Sequence, residues 1–291
     1  MKFGLLLDTL DLREMLTLAR LAEDCGFDSV WLSEGHFSSD GVCPAPQVAA
    51  AAMATGTQAI RIGVVASLGL YHPVYTAEDV AVLDNISNGR TLLLAAKPRA
   101  EEAAACGTPS PDIEERFREA LEICLAAWSP LPFRHEGQHF QVPASLPENV
   151  HAAAFTHLSV TPKPAQPRLP VWVAARDEDA VRLAARLGLP IAGEAESAVG
   201  ELRSRFEMYR SLAGEAPGQP LALMREVDGS DIRRCSEEIE WYRDELGVSY
   251  LICRLAGDRA ARGEAVERLG REVMPQFHMF GYPQELRSVS S

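Results

Sequence analysis

The chain has 291 residues, of which 47% are hydrophobic and 24% charged, as in an ordinary globular protein of one large domain or two smaller ones. Its formal net charge of −13 argues against nucleic acid and anionic membrane surfaces as partners, because both select basic proteins. No stretch reaches the ~18 apolar residues of a membrane span, and the N-terminal apolar run is too short for a signal peptide, so we expect a cytoplasmic protein.

Apolar runs and helical patterns alternate along the first half of the chain. The run FGLLLDT (3–9) predicts a strand, and apolar residues spaced three and four apart predict a helix over 13–25 that ends at Gly26. The same alternation continues with three more strands and three more helices. The strands are predicted at 29–34, 60–70 and 91–96, and the helices at 47–57, 76–86 and 113–128.

The alternation resumes after residue 168. Strands are predicted at 169–175, 189–193, 220–227 and 249–255, and helices at 178–187, 197–212, 232–246 and 263–274. Strands that are apolar throughout imply burial on both faces and therefore parallel pairing. Eight such units predict an α/β fold, the closed (β/α)8 TIM barrel, and an open doubly wound sheet is the competing architecture.

Residues 129–168 interrupt this rhythm with a segment rich in proline and histidine. Within it, FRHEGQHFQV (133–142) predicts a hairpin with Glu136-Gly137 at its turn, and HLSVTPKP (157–164) predicts another extended piece. We interpret the segment as an insertion after the fourth helix, within a single barrel domain that spans residues 1–291.

Polar side chains follow the predicted strands, at the end of the barrel where catalytic residues of such barrels lie. They include Asp8, Glu34, His36, Tyr71, His72, Lys97, Arg99, Arg176, Asp177, Glu194 and Arg254. We predict catalytic roles for His36, Glu34 and His72. Structural roles are the alternative: Asp8 and Asp177 as helix N-caps, Glu34 as the partner of an arginine, and His72 as a turn residue.

Other signatures of catalysis and cofactor binding are absent from the sequence. It has no GxGxxG after a strand, no GxxxxGK[ST] and no GxSxG. His135 and His139 are four residues apart, but Gly137 between them indicates a hairpin and not a metal-binding helix. The six cysteines form no CxxC pair, which favours reduced thiols and argues against a zinc site. We therefore expect no metal.

Six stretches carry a resemblance to a known family, in the same order along nearly the whole chain. They are MKFGLLL (1–7), AEDCGFDSVWLSEGHF (22–37), IRIGVV (60–65), YHPVYTAEDVAVLDNISNGR (71–90), FRHEGQHFQV (133–142) and PVWVAARDEDAVRLAARLGLP (170–190). Together they resemble the bacterial luciferase-like family of flavin-dependent monooxygenases. The resemblance implies a barrel with an insertion after its fourth helix, and a reaction of reduced FMN and O₂ with an organic substrate. Some relatives use the deazaflavin F420 instead.

The resemblance also implies where the flavin ring lies. The family has Glu-His-His after the second strand, and its first histidine assists the flavin chemistry; here Gly35 occupies that position. The role then passes to His36 or Glu34, or the glycine opens space for a larger ligand, or flavin chemistry is lost. Val65 and Ala66 of the third strand are the expected contacts beneath the ring, with a non-proline cis peptide bond within 64–67.

The flavin phosphate is expected after the fourth and fifth strands. The family has an arginine after the fourth strand, where this chain has Lys97, which binds phosphate as a point charge. Arg176 and Asp177 follow the fifth strand. Arg176 is an expected phosphate ligand, and Asp177 competes with the phosphate for the helix N-terminus.

Two functions remain open from the sequence. The first is a flavin-dependent monooxygenase that acts on a small organic substrate, uses reduced FMN (or F420), works with a separate flavin reductase and forms a homodimer. The second is a divergent barrel that has lost the usual flavin site. It would act as a cofactor-independent enzyme, a metabolite binder or a supporting subunit.

Overall fold

Eight short parallel strands close into a barrel in the computed structural model, which describes residues 1–37, 42–108, 110–144, 156–214 and 220–277. The strands of the chain are β1 (Lys2–Leu6), β2 (Ser29–Ser33), β3 (Arg61–Ser67), β4 (Thr91–Ala96), β5 (His135–Glu136), β6 (Gln141–Val142), β7 (Val171–Ala174), β8 (Ile191–Gly193), β9 (Leu221–Glu226) and β10 (Tyr250–Arg254). All except β5 and β6 belong to the barrel, which closes where β1 pairs with β10. The predicted (β/α)8 barrel is confirmed, and the open-sheet alternative is wrong.

Helices follow the barrel strands and cover the outside of the sheet. They are α1 (Leu12–Asp24), α2 (Pro46–Gly56), α3 (Pro73–Ile86), α4 (Ala100–Ala105), α5 (Ile113–Trp128), α6 (Glu178–Leu187), α7 (Val199–Ala213), α8 (Ile232–Leu246) and α9 (Arg259–Arg268). Four of them begin at an aspartate whose side chain accepts hydrogen bonds from first-turn N–H groups. These caps are Asp11, Asp177, Asp231 and Asp258.

Aromatic side chains fill the middle of the barrel. The ring of Trp172 lies 5.2 Å from that of Trp31 and 4.9 Å from that of Tyr250, measured between centroids. Glycines make room for Trp31, since a Cβ on Gly63 would lie 2.2 Å from its indole ring. Because the lumen is packed, a ligand site must lie at one end of the barrel or the other.

The predicted insertion contains the predicted hairpin. Strands β5 and β6 pair antiparallel, and the N–H of Gly137 donates to the carbonyl of Phe140 across the turn. Glu136 lies in β5 and not in the turn, so the turn begins one residue later than predicted. The second extended piece is confirmed by an antiparallel bridge between Phe133 and Leu158.

Glu119 of α5 anchors the turn of this hairpin. Its side chain is 1% exposed, and its carboxylate accepts hydrogen bonds from the backbone N–H groups of Gln138, His139 and Phe140. Burial alone would raise the pKa of Glu119, but these hydrogen bonds outweigh it and the pKa lies below its ordinary value. The hairpin is therefore tied to the barrel by a charged group.

Three local predictions need correction. Helix α4 and a 3₁₀ turn (Ser110–Asp112) occur where no element was predicted, because six residues are too few to show a helical pattern. The last helix runs over 259–268 and not 263–274, since Asp258 caps it and a π turn (Leu269–Val273) and a 3₁₀ turn (Met274–Gln276) follow. The peptide bonds within 64–67 are trans, and β3 stays paired with β4 as far as Ser67.

Within the described ranges, no helix combines the length and the apolar character that crossing a membrane requires. The six cysteines are free thiols, as predicted. The described residues contain no group of three or more side chains suited to a metal ion.

Candidate active site

A cavity of about 360 Å³ opens at the C-terminal ends of the barrel strands, where the sequence predicts the site. Its floor is apolar and consists of Leu6, Val65, Leu94, Ala96 and Met224. Its walls carry nine charged side chains, namely Asp8, Glu34, Lys97, Arg99, Glu102, Arg176, Glu194, Glu196 and Arg254. An apolar floor below a polar rim suits a flat organic ligand with polar groups at its edge.

Glu34 is the buried acid of this cavity, with a side chain 3% exposed. Its Oε2 accepts a hydrogen bond from the N–H of Ser67 at 2.7 Å, and its Oε1 lies 2.8 Å from Nε2 of His36. Burial raises the pKa of Glu34 by more than these hydrogen bonds lower it, and the nearby Glu102 adds to the rise. The predicted arginine partner is wrong, because the partner is His36.

His36 lies behind Glu34 and does not line the cavity. Its ring packs near the rings of Phe37 and Tyr71, at 5.9 and 6.1 Å between centroids. The structure therefore brings two of the three predicted catalytic residues together, with Glu34 facing the cavity and His36 in contact with it from behind.

Gly35 has a packing reason to be glycine. Its N–H donates to the carbonyl of Cys43 at 3.3 Å, and a Cβ at this position would lie 2.6 Å from Cγ2 of Val42. The chain at 42–43 therefore covers the place that a side chain at position 35 would occupy. The glycine does not open space for a larger ligand, because Val42 fills that space.

Lys97 follows β4 and is held by two carboxylates. Its Nζ lies 2.5 Å from Oδ2 of Asp177 and forms a second ion pair with Glu114. Asp177 also caps α6, because its Oδ1 accepts a hydrogen bond from the N–H of Ala180 at 2.9 Å. Burial alone would raise the pKa of Asp177, but Lys97 and this N–H outweigh it and the pKa is lowered. The predicted N-cap is confirmed, and it also compensates the charge of Lys97.

Arg176 joins the ends of three strands. Its guanidinium donates to both carboxylate oxygens of Glu194, at 2.6 and 3.0 Å, and to the carbonyl of Lys97 at 2.6 Å. Across the cavity, Nε of Arg254 donates to Oδ2 of Asp8 at 2.8 Å. Asp8 is therefore the partner of an arginine and not a helix cap.

Glu102 is a site residue that the sequence did not reveal. It is 4% exposed in α4, lines the cavity, and its Oε1 accepts a hydrogen bond from the N–H of His36 at 2.8 Å. It ties the chain after β4 to the chain after β2. No pattern could have indicated it, since a glutamate in AEEAAA resembles an exposed helical residue.

Two predicted residues lie away from the cavity. His72 is the N-cap of α3, where its Nδ1 accepts from the N–H of Val74 at 3.4 Å and its ring packs edge-on against Phe140. Ala66 is buried between the sheet and the helices, whereas Val65 faces the cavity. His72 therefore has a structural role, as the cap of α3 and not as a turn residue. Ala66 points away because successive strand residues alternate between faces.

A second depression, of about 460 Å³, lies between α2 and α3 and also reaches Glu34. Its walls include large apolar side chains that are mostly exposed, among them Val48 at 73% and Tyr75 at 67%. Contiguous exposed apolar surface of this kind is typical of an interaction site.

Comparison with known proteins agrees with the barrel fold. The model of the luciferase-like monooxygenase family matches residues 2–227. The chain is 26% identical over 252 residues to the oxygenase component of a flavin-dependent trigonelline monooxygenase from Acinetobacter baylyi, covering 81% of the chain and 64% of that protein. It is 29% identical over 227 residues to an alkanal monooxygenase alpha chain from the Kryptophanaron alfredi symbiont, covering 74% and 60%. The chain thus spans less than two thirds of either relative.

Solved structures share the fold over nearly the whole chain. The monooxygenase RslO1 from Streptomyces bottropensis superposes with a TM-score of 0.81 at 21% identity, covering 96% of this chain and 100% of that one. An F420-dependent secondary alcohol dehydrogenase superposes with a TM-score of 0.78 at 17% identity, covering 96% and 99%. At these identities the likeness concerns the fold.

Proposed function

The chain belongs to the luciferase-like monooxygenase family, and from that premise we propose that it is a flavin-dependent monooxygenase acting on a small organic substrate with reduced FMN and O₂. The observation that carries the proposal is the cavity at the C-terminal end of the barrel, where an apolar floor adjoins the buried Glu34–His36 pair. F420 is the alternative cofactor, because proteins named for either kind of cofactor are similar to this chain.

The lining of the lower part of this cavity supports the binding of a flavin ring there. Leu6, Val65 and Ala96 offer apolar surface, and Glu34 offers a polar edge beside it. The volume of about 360 Å³ lies within the range of roughly 300–1,000 Å³ that is usual for small-molecule sites. Val65 is therefore an expected contact of the flavin ring, whereas Ala66 is not.

To bind at Lys97, the phosphate of the cofactor must replace a carboxylate that forms an ion pair with this lysine. Glu114 and Asp177, which hold Lys97, are 42% and 45% exposed, whereas the side chain of Lys97 is 7% exposed. Because water can solvate a released carboxylate and the buried ammonium group needs an anionic partner, a phosphate can replace one of the two carboxylates. Arg99 also lines the cavity and has no ion pair in the described ranges, so it offers a further charge. This arrangement supports a flavin that binds for one turnover and then leaves.

The chain's own residues would position the reactants and move protons. When bound, the reduced flavin supplies two electrons and two protons, so that one oxygen atom of O₂ enters the substrate and the other leaves as water. Glu34 faces the reactants with a raised pKa, and Nε2 of His36, 2.8 Å away, can receive or return its proton. A positioned acid–base group typically contributes ~10²–10⁴ in rate. The packed lumen beneath the floor excludes water from that side.

We propose two partners for the same function. A flavin that leaves after each turnover must be reduced elsewhere, which supports a separate flavin reductase. The exposed apolar face of α2 and α3 supports a homodimer formed through these helices. The free cysteines support a reducing, cytoplasmic compartment, and we treat residues 1–291 as one domain.

A flavin titration tests the proposal. FMN, FAD and F420 are each titrated with the protein, oxidised in air and reduced without oxygen, and the change in flavin fluorescence or absorbance gives Kd. Micromolar or tighter binding of one of them supports the proposal. If none binds in either oxidation state, the proposal is wrong.

The second candidate is a barrel that has lost the flavin site. It is favoured by the ion pairs of Lys97 and Arg176, which leave neither cation free for a phosphate in this structure. A crystal soaked with FMN separates the two candidates, because phosphate density at Lys97 excludes the second one.

A further inference from the structure

The N-terminal end of the barrel contains another cavity, of about 1,210 Å³, on the far side of the aromatic lumen from the candidate active site. Its lining includes the starts of β1, β3 and β7 and the C-terminal part of α7. Four basic side chains belong to this lining, Lys2, Arg61, Arg168 and Arg210. Within the described part of the chain, no aspartate or glutamate lines it.

These four cations also lack carboxylate partners. Among the residues that the structure describes, none of them lies within 4.0 Å of an aspartate or glutamate oxygen. Arg61 donates to the side-chain oxygen of Gln166 at 3.0 Å, and Arg210 donates to the carbonyl of Leu246, so both known partners are neutral. At the other end of the barrel, by contrast, most cations are ion-paired.

The hydrogen bonds of Arg61 and Arg210 to neutral groups leave their charges uncompensated. Like charges around one cavity repel one another, which costs free energy that a bound anion would offset. The chain as a whole carries a net charge of −13. A cluster of cations without carboxylate partners is therefore not what its composition predicts. An anion at this place would relieve the repulsion.

The walls inside this ring of cations are apolar and aromatic. They include Leu92, Trp172, Leu189, Leu221 and Tyr250. Guanidinium groups recognise carboxylate, phosphate and sulfonate groups, and aromatic walls favour a flat apolar body. We propose that this cavity is a second binding site, for a small aromatic molecule that carries two or more anionic groups.

Titration with bis-ANS, an aromatic fluorescent dianion, tests the proposal on the full chain. The rim variant Lys2→Gln/Arg168→Gln removes two exposed cations whose side chains make no hydrogen bond to the residues that the structure describes. The control variant Arg13→Gln/Arg234→Gln removes two exposed cations elsewhere that form no ion pair within 4.0 Å among the described residues, so its net charge is the same. Circular dichroism and thermal unfolding verify that both variants are folded.

We expect bis-ANS to bind the wild-type protein and the control with Kd values within about twofold, and the rim variant at least about tenfold more weakly, since hydrogen bonds to charged groups are lost. Equal binding to the rim variant, or no binding to the wild type, would each overturn the proposal. The comparison of variants does not depend on whether the protein binds a flavin.

Discussion

Replacing Asp177 by asparagine tests whether Lys97 is available to a flavin phosphate. The carboxylate of Asp177 lies 2.5 Å from Nζ of Lys97, and its loss leaves Glu114 as the remaining ion-pair partner. Asparagine caps helices as well as aspartate does, so the hydrogen bond to the N–H of Ala180 and the start of α6 should be kept. We expect the variant to bind FMN more tightly than the wild type does.

The magnitude follows from the charge that is removed. A carboxylate and a phosphate that share one ammonium group lie about 4–5 Å apart, where two like charges repel by roughly 3–4 kcal/mol at an effective dielectric constant of about 20. Asp177 is 45% exposed, so solvent and salt reduce this to about 1 kcal/mol. That free energy corresponds to a Kd for FMN about fivefold lower than in the wild type.

Quenching of flavin fluorescence measures this change. Riboflavin lacks the phosphate and should bind the variant and the wild type equally. Asp179→Asn removes a charge from the same first turn of α6 without touching Lys97, so its Kd for FMN should stay within about twofold of the wild type. An unchanged Kd for FMN in Asp177→Asn, or an equal gain for riboflavin, would refute a phosphate site at Lys97.

Three other substitutions probe the site and its support. Glu34→Gln should lower the rate of substrate oxygenation by about 10²-fold while leaving FMN binding nearly unchanged, because the amide keeps the shape of the side chain but transfers no proton. Oxygen uptake in a reductase-coupled assay measures this rate. An unaltered rate would show that Glu34 takes no part in the chemistry. Gly35→Ala should lower the free energy of unfolding by about 1–3 kcal/mol, because the added methyl group overlaps Val42. The double variant with Val42→Ala should recover most of the lost stability, measured by urea unfolding. No recovery would show that the loss has a cause other than this overlap. The pKa of Glu119 is lowered in the folded state, so its stabilisation is present above the ordinary pKa of 4.5 and is lost as pH falls through the lower folded value. The stability difference between wild type and Glu119→Gln should therefore be constant from about pH 6 to 8 and shrink below about pH 4.5; urea unfolding at each pH measures it, and a difference independent of pH would contradict the role of the carboxylate.

The barrel could be predicted because each of its elements carries its own signal. The strand at 91–96 and the helices at 113–128, 178–187 and 232–246 match the structure residue for residue. Helix α6, for example, has an aspartate before its first turn and a glycine after its last, and both act locally on the backbone. Helix α4 was not predicted because its six residues make too few turns to show a helical period.

The candidate site could be predicted in position but not in its contacts. Lys97, Glu114 and Asp177 come from three different elements, so their ion pairs depend on how the barrel closes. The choice between Val65 and Ala66 was also beyond the sequence. Strand β3 is apolar on both faces, so no alternation shows which side chain points toward the cavity.

The two ends of the barrel use their cations differently, and this difference bears on how a flavin is recognised. At the C-terminal end, Lys97, Arg176 and Arg254 already hold carboxylates from neighbouring loops, so a phosphate gains little net attraction there. Most of the binding free energy must then come from the ring and the apolar floor. Wild-type protein should therefore bind riboflavin within about tenfold of its Kd for FMN, a difference of about 1.4 kcal/mol. A preference for FMN of about 10³-fold would show instead that the ion pairs open fully to admit the phosphate.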